Sequence, residues 1–239
     1  VTPPPQLVFS LEHRPSLDAA DFIVGPPNAA ASAWIDRYPD WPAPLVALHG
    51  PAGSGKSHLL HLWRKRHGAV ALDPAAISTQ SLPVLLGQAR AVALDFGSQD
   101  LSRGDLPLDE RALLHLYNIL ADRRGHILAA ARATPSRWKA ALPDLRSRLG
   151  AAASIAIEAP DDALLSAVLG KLFADRQLRV PPGVIEYLVS RMERSLDAAG
   201  RIVEALDRTA LVERRALSIA LAREVLEALD DGQIPLPGM

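Results

Sequence analysis

The chain has 239 residues, 49% of them hydrophobic, enough for one large domain or for a core with a small satellite. Its 26 basic and 27 acidic residues nearly cancel, to a formal net charge of −1, which excludes the dominant basic field of a dedicated nucleic-acid binder. The absence of cysteine rules out disulfide frameworks and thiolate zinc sites, and no apolar run approaches the ~18 residues of a membrane span. A soluble, cytoplasmic protein with no membrane partner is expected.

The start, "VTPPPQLVFSLEHRPS", holds three consecutive prolines and a further turn signal at Pro15, and reads as an extended tail over 1–16. From Leu17 onward apolar strands alternate with helices. "APLVALHG" is a strand running into glycine, and "SGKSHLLHLWRKRH" a helix with Leu59, Leu60 and Trp63 on one side. Ala69 to Pro74 is a second strand, "STQSLPVLLGQ" a helix, and "AVALDF" a third, buried strand. In "LDERALLHLYNILADRR", Leu113, Leu116, Tyr117 and Leu120 fall at helical spacing. "HILAAA" and "ASIAIEAP" add two more strands.

This alternation predicts an α/β fold with a mostly parallel five-stranded sheet over 17–159. After Pro160 four helical patterns follow, with starts at Asp161, Pro182, Ser195 and Ser218. They predict a small all-helical lid over 160–232, and 233–239 is left as a C-terminal tail.

"HGPAGSGKSHLL" carries the most specific chemistry. Gly50, four residues, then Gly55-Lys56-Ser57 sit where a strand ends and a helix begins, the context a phosphate loop needs. Glycines let backbone N–H groups turn toward phosphates, the helix N-terminus adds its dipole, Lys56 reaches the β/γ-phosphates, and the Ser57 hydroxyl ligates magnesium. Pro51, Ala52, Gly53, Ser54 and His58 complete the loop. ATP or ADP with Mg is therefore the expected cofactor. Asp95, at the end of another strand, is the second magnesium anchor, and the next residue is Phe96, which can neither accept a proton nor orient water. Weak or absent intrinsic hydrolysis is expected.

Three segments together resemble the DnaA/Hda-like branch of the bacterial AAA+ family. "DFIVGPPNAAA" is similar to the signature lining its adenine pocket, which implies that Phe22, Ile23 and Val24 contact the nucleotide. "GSGKSHLL" resembles its phosphate loop, and "LPDLRSRL" the box that carries the arginine finger, by which match the finger is Arg148. A finger acts in trans on a neighbour's γ-phosphate, so a protruding loop is its expected setting. On the residues alone, a salt bridge from Arg148 to Asp144 at i−4 is the ordinary alternative.

The departures fall on hydrolytic elements. Phe96 stands where this branch usually has an acid, and the polar residue of the family's sensor I corresponds to Ala131 or Arg132. In the lid, Arg201 is assigned as the sensor II arginine, although an ungapped match falls on Ile202 and Arg194 is close by.

No stretch resembles the helix-turn-helix domain of DnaA, so no dedicated double-stranded DNA-binding domain is expected and the shorter Hda-like architecture fits better. That likeness implies a sliding-clamp-binding peptide in the tail, for which "QLVFSL", with Gln6, Leu7, Phe9 and Leu11, is the match. Packing of Leu7, Phe9 and Leu11 on the protein's own core is the alternative. The implied partners are DnaA and the clamp, with a homo-oligomer possible. The implied function is stimulation of ATP hydrolysis on DnaA through Arg148. Two further readings stay open: an adaptor or loader whose nucleotide only sets assembly, and a self-sufficient ATPase of low turnover.

Overall fold

The structure is a computed structural model that describes residues 22–97, 99–103, 106 and 108–231. The tail with Gln6, Leu7, Phe9 and Leu11, the expected start at Leu17 and the 233–239 tail lie outside the described residues.

Five strands form one sheet: β1 (Leu45–His49), β2 (Val70–Leu72), β3 (Ala91–Asp95), β4 (His126–Ala131) and β5 (Ala153–Ala156). Their order is β2-β3-β4-β1-β5 and every pairing is parallel, so the crossovers must be helical. The central strands are apolar on both faces, as burial under two helical layers demands; β4 is buried along its whole length.

One face packs under α1 (Pro26–Ile35) and α2 (Lys56–His67), where Leu59, Leu60 and Trp63 meet Val46, Leu48, Ala91, Ala93 and Leu128. The other packs under α4 (Glu110–Asp122) and α5 (Pro143–Gly150), with α3 (Leu82–Leu86) at its edge. Here Leu113, Leu116 and Leu120 of α4, the helical stripe read from the sequence, are at most 1% exposed. Each such leucine contributes about 1.5–3 kcal/mol relative to exposure.

Helices α6 (Asp162–Asp175), α7 (Val184–Val189), α8 (Leu196–Glu213) and α9 (Ile219–Asp230) enclose a second core built on Leu165, Leu169, Phe173, Leu188, Val203, Leu206 and Leu221. Three of their four starts are N-caps as expected: the Asp161 carboxylate accepts from the Leu164 N–H (2.8 Å), and the Ser195 and Ser218 hydroxyls accept from Ala198 and Leu221 (3.2 Å each). The fourth differs. Helix α7 is capped by Gly183 in the left-handed region (φ 83°), one residue beyond Pro182.

Helices α1 and α5 were not legible as periodic patterns. Both are short and begin with proline at their first turn, so a few small or polar residues on one side hide a buried face. The helix expected over "STQSLPVLLGQ" shrinks to the five residues of α3, and the strand expected at Ala69–Pro74 to the three of β2.

Candidate nucleotide-binding cleft

The turn between β1 and α2 wraps around the amino terminus of α2. Gly53 (φ 64°) and Gly55 (φ 97°) both adopt left-handed backbone, a conformation that other residues take only under strain. The turn leaves the first N–H groups of α2 without a side-chain cap, so these donors and the positive end of the helix dipole remain for an anion.

Lys56, the first residue of α2, is only 6% exposed. Its Nζ donates to the Pro51 carbonyl (2.6 Å) and lies 3.5 Å from the Ser54 hydroxyl. Burial lowers the Lys56 pKa from its ordinary value; Asp95 and Asp197 pull it back up, and Arg132 adds to the lowering. Asp95, Asp197 and Arg132 therefore lie within electrostatic reach of the ammonium, and its burial leaves it little water to compete with a phosphate.

A cleft of about 1060 Å³ opens above this point. Ala52, Gly53, Gly55, Lys56, Ser57, His58 and Asp95 line its floor. Ser57 and Asp95 supply two hard oxygen donors, which suits a magnesium ion that takes its other ligands from water and phosphate. Among the described residues no group of three or more His, Asp or Glu could hold a metal unaided.

Asp95 and Phe96 part company at the end of β3. Alternation along the strand puts Asp95 on the α2 face with Ala91 and Ala93, and Phe96 on the opposite face with Val92 and Leu94. The Phe96 ring is 3% exposed and meets Trp138 edge-on at 5.0 Å. Position 96 thus contributes no side chain to the cleft. Ala131, fully buried, offers no polar group either, whereas Arg132 is exposed and lies within electrostatic reach of Lys56.

One wall is the segment before α1. Phe22 and Ile23 line the cleft, and Phe22 meets the His58 ring edge-on at 5.5 Å. The buried amide of Asn28 holds this segment, accepting from the Gly25 N–H (2.9 Å) and donating to the Ile23 carbonyl (3.0 Å). Val24 is 56% exposed and does not line the cleft. Pro51 and Ser54 also stay off the surface of the cleft and act on Lys56 from beneath.

The opposite wall comes from the lid. The first N–H of α8, Leu196, donates to the Gly53 carbonyl (2.7 Å), and Ser195 is buried against the loop. Arg201, one turn further, lines the cleft 3.8 Å from the Glu193 carboxylate. Ile202 faces the lid core and Arg194 pairs with Asp162 at 2.8 Å off the cleft, so among these three only Arg201 reaches it. Helix α6 adds Val168, Lys171, Leu172 and Asp175, and its C-cap adds Arg176, none singled out in the sequence.

Arg148 is not on a loop. It lies in the last turn of helix α5, where its Nε donates to the Asn118 amide oxygen (3.2 Å), its guanidinium reaches the Asp144 carbonyl (3.3 Å) and its charge lies 5.5 Å from the centre of the Tyr117 ring. The contact to Asp144 is with backbone, not the carboxylate of the expected alternative. Arg148 is half-buried and absent from the lining of its own cleft.

A parallel sheet in the order 2-3-4-1-5, a phosphate loop after β1, an acid at the end of β3 and a helical lid bonded to that loop define an AAA+ architecture. Solved structures agree on the fold. Domain III of the replication initiation protein DnaA from Thermotoga maritima superposes with a TM-score of 0.70 at 17% identity, over 90% of this chain and 97% of that one. A DNA replication initiation factor gives 0.67 at 18%, over 92% and 69%. The Thermotoga maritima RuvB Holliday junction branch migration motor gives 0.63 at 16%, over 85% and 67%. Residues 162–226 match the family model "Hda, lid domain". The lid is thus similar to that of Hda, and the fold is the one these AAA+ structures share.

Proposed function

We propose that the chain is an Hda-like regulator of bacterial replication initiation that holds ADP or ATP with Mg in its cleft and promotes ATP hydrolysis on DnaA. The core is taken as 17–159 and the lid as 160–232. Lys56 and the α2 N-terminus bind the phosphates, Ser57 and Asp95 carry the metal, and Phe22, Ile23 and Arg201 close over the nucleotide. Phosphoryl transfer needs charge stabilisation at the γ-phosphate and a placed water. This cleft has groups for the first task and no side chain at position 96 for the second, so slow turnover of its own nucleotide is expected.

The observation that carries the reading is the position of Arg148. A guanidinium held by Asn118 and Tyr117, away from its own cleft, is set up for a phosphate on another molecule. Docking is assigned to Gln6, Leu7, Phe9 and Leu11, which would place the regulator on the sliding clamp.

Reconstitution with clamp on DNA and ATP-bound DnaA tests this: adding the chain should raise ADP formation, and removing residues 6–11 should cancel the rise. Nucleotide binding without any rise would favour the adaptor reading. Brisk turnover by the isolated chain would favour a self-sufficient ATPase.

A further inference from the structure

A second concavity, of about 740 Å³, lies between the loop after β3 and the loop after β4. Its polar lining is Arg103, Arg137, Lys139 and Arg146 with the hydroxyls of Ser102 and Ser136, and among the described residues no carboxylate lines it.

Two nearby acids, Asp100 and Glu110, are already committed. Asp100 accepts from the Ser102 N–H and hydroxyl (3.1 and 2.5 Å) and faces Arg103 at 3.3 Å. Both oxygens of Glu110 accept backbone N–H groups, from Ala141 (2.7 Å) and Leu142 (2.8 Å). Arg137 and Lys139 make no ion pair among the described residues, and Arg146 reaches only the carbonyls of Ala140 and Ala141. In a chain of net charge −1, Arg137, Lys139 and Arg146 thus form a local group of cations with no carboxylate partner among the described residues, beside the Asp100-paired Arg103.

The two loops are also fixed to each other. The Lys139 N–H donates across them to the Leu101 carbonyl (2.9 Å), and within the loop after β4 the Trp138 indole N–H donates to the Ala133 carbonyl (2.9 Å). The cations are therefore presented by braced backbone, which reduces the ordering cost of binding. Trp138 is 4% exposed, so no aromatic face is offered to a base.

We propose that this concavity is a phosphate-binding site, separate from the nucleotide cleft, that takes a phosphate group through Arg103, Arg137, Lys139 and Arg146 and reads no base. The phosphate can come from a free anion or from the backbone of a nucleic-acid strand, and two probes separate these sources: inorganic pyrophosphate and a short oligo-dT. Binding of each is measured in a Lys56→Ala background, so that the phosphate loop does not contribute, with and without Arg137→Glu and Lys139→Glu.

The charge-reversed variant should lose at least about tenfold in affinity for the probe that binds. If that probe is oligo-dT, the milder Arg137→Gln, Lys139→Gln variant should lower the log–log salt slope by about 1.4. ADP affinity of the Lys56-bearing protein should be unchanged by either pair of substitutions, which separates this site from the proposed nucleotide function and confirms the variants are folded. Failure of both probes to bind the parent, or equal binding by the charge-reversed variant, would overturn the proposal.

Discussion

Gly53 of the phosphate loop and Ser195 of the lid meet so closely that a Cβ on Gly53 would lie 1.9 Å from the Ser195 hydroxyl. Beside this contact, the Leu196 N–H bonds the Gly53 carbonyl (2.7 Å), so loop and lid helix share one backbone junction. A change in the loop must therefore be felt at the start of α8. Gly53→Ala should displace the lid and weaken ADP binding by at least about tenfold, since clash and left-handed strain add. Gly68→Ala is the control: its φ is 61° but nothing lies within 4 Å, so only strain of roughly 1 kcal/mol applies. Equal ADP affinities for the two variants, read by calorimetry, would remove the junction from the account.

The arginines of the lid make opposite predictions. Arg201 lines the cleft and Arg194 is tied to Asp162 on the surface. Arg201→Ala should cost about ten- to a hundredfold in ATP affinity, the range for a charged hydrogen bond. Arg194→Ala should leave affinity within about twofold, as exposed ion pairs contribute little. The reverse order of effects would assign the lid cation to Arg194.

Lys56 illustrates a conflict between binding and stability. Burial lowers its pKa, so the folded state holds the proton less tightly than the unfolded chain. Stability then rises with pH through the window from the lowered folded value to about 10.5. Lys56→Met should raise the thermal midpoint of the nucleotide-free protein at neutral pH while abolishing ADP binding. A lower midpoint would mean that its bond to the Pro51 carbonyl outweighs the burial cost.

At the opposite end of α2, His67 and His126 pack around the Tyr38 ring at 4.6 and 5.6 Å, and His67 Nε2 and His126 Nδ1 are buried without partners. Burial lowers both pKa values; Arg66 lowers that of His67 further while Asp36 opposes, and a hydrogen bond to the Trp41 backbone opposes the shift at His126. With folded values below 6.5, stability is full above about 6.5 and is lost as pH falls from there to the lowered folded values. His126→Phe should flatten this acid loss in denaturant titrations between about pH 7 and 5. A variant as acid-sensitive as the parent would place the loss elsewhere.

Much of this was readable in the chain. The phosphate loop declares itself because glycine spacing, Lys56 and the switch from strand to helix coincide within a few residues. The lid starts were visible because Asp161, Ser195 and Ser218 precede apolar periodic runs and serve as the caps they resemble. What stayed hidden depends on pairs far apart in sequence. Nothing local reveals that Phe96 turns to Trp138, that the end of α6 brings Arg176 to the cleft, or that Asn118 holds Arg148. The setting of Arg148 shows the same limit, since the motif that pointed to the residue said nothing of the helix that carries it.

The central claim is that Arg148 acts on a nucleotide bound by another molecule. ADP formation on ATP-bound DnaA, measured with clamp on DNA and with this chain as parent, Arg148→Lys or Arg148→Ala, tests it most directly. Loss of stimulation by about a thousandfold in Arg148→Ala, little rescue by lysine and an unchanged affinity of the chain for its own ADP are predicted. Full stimulation by Arg148→Ala would contradict the account.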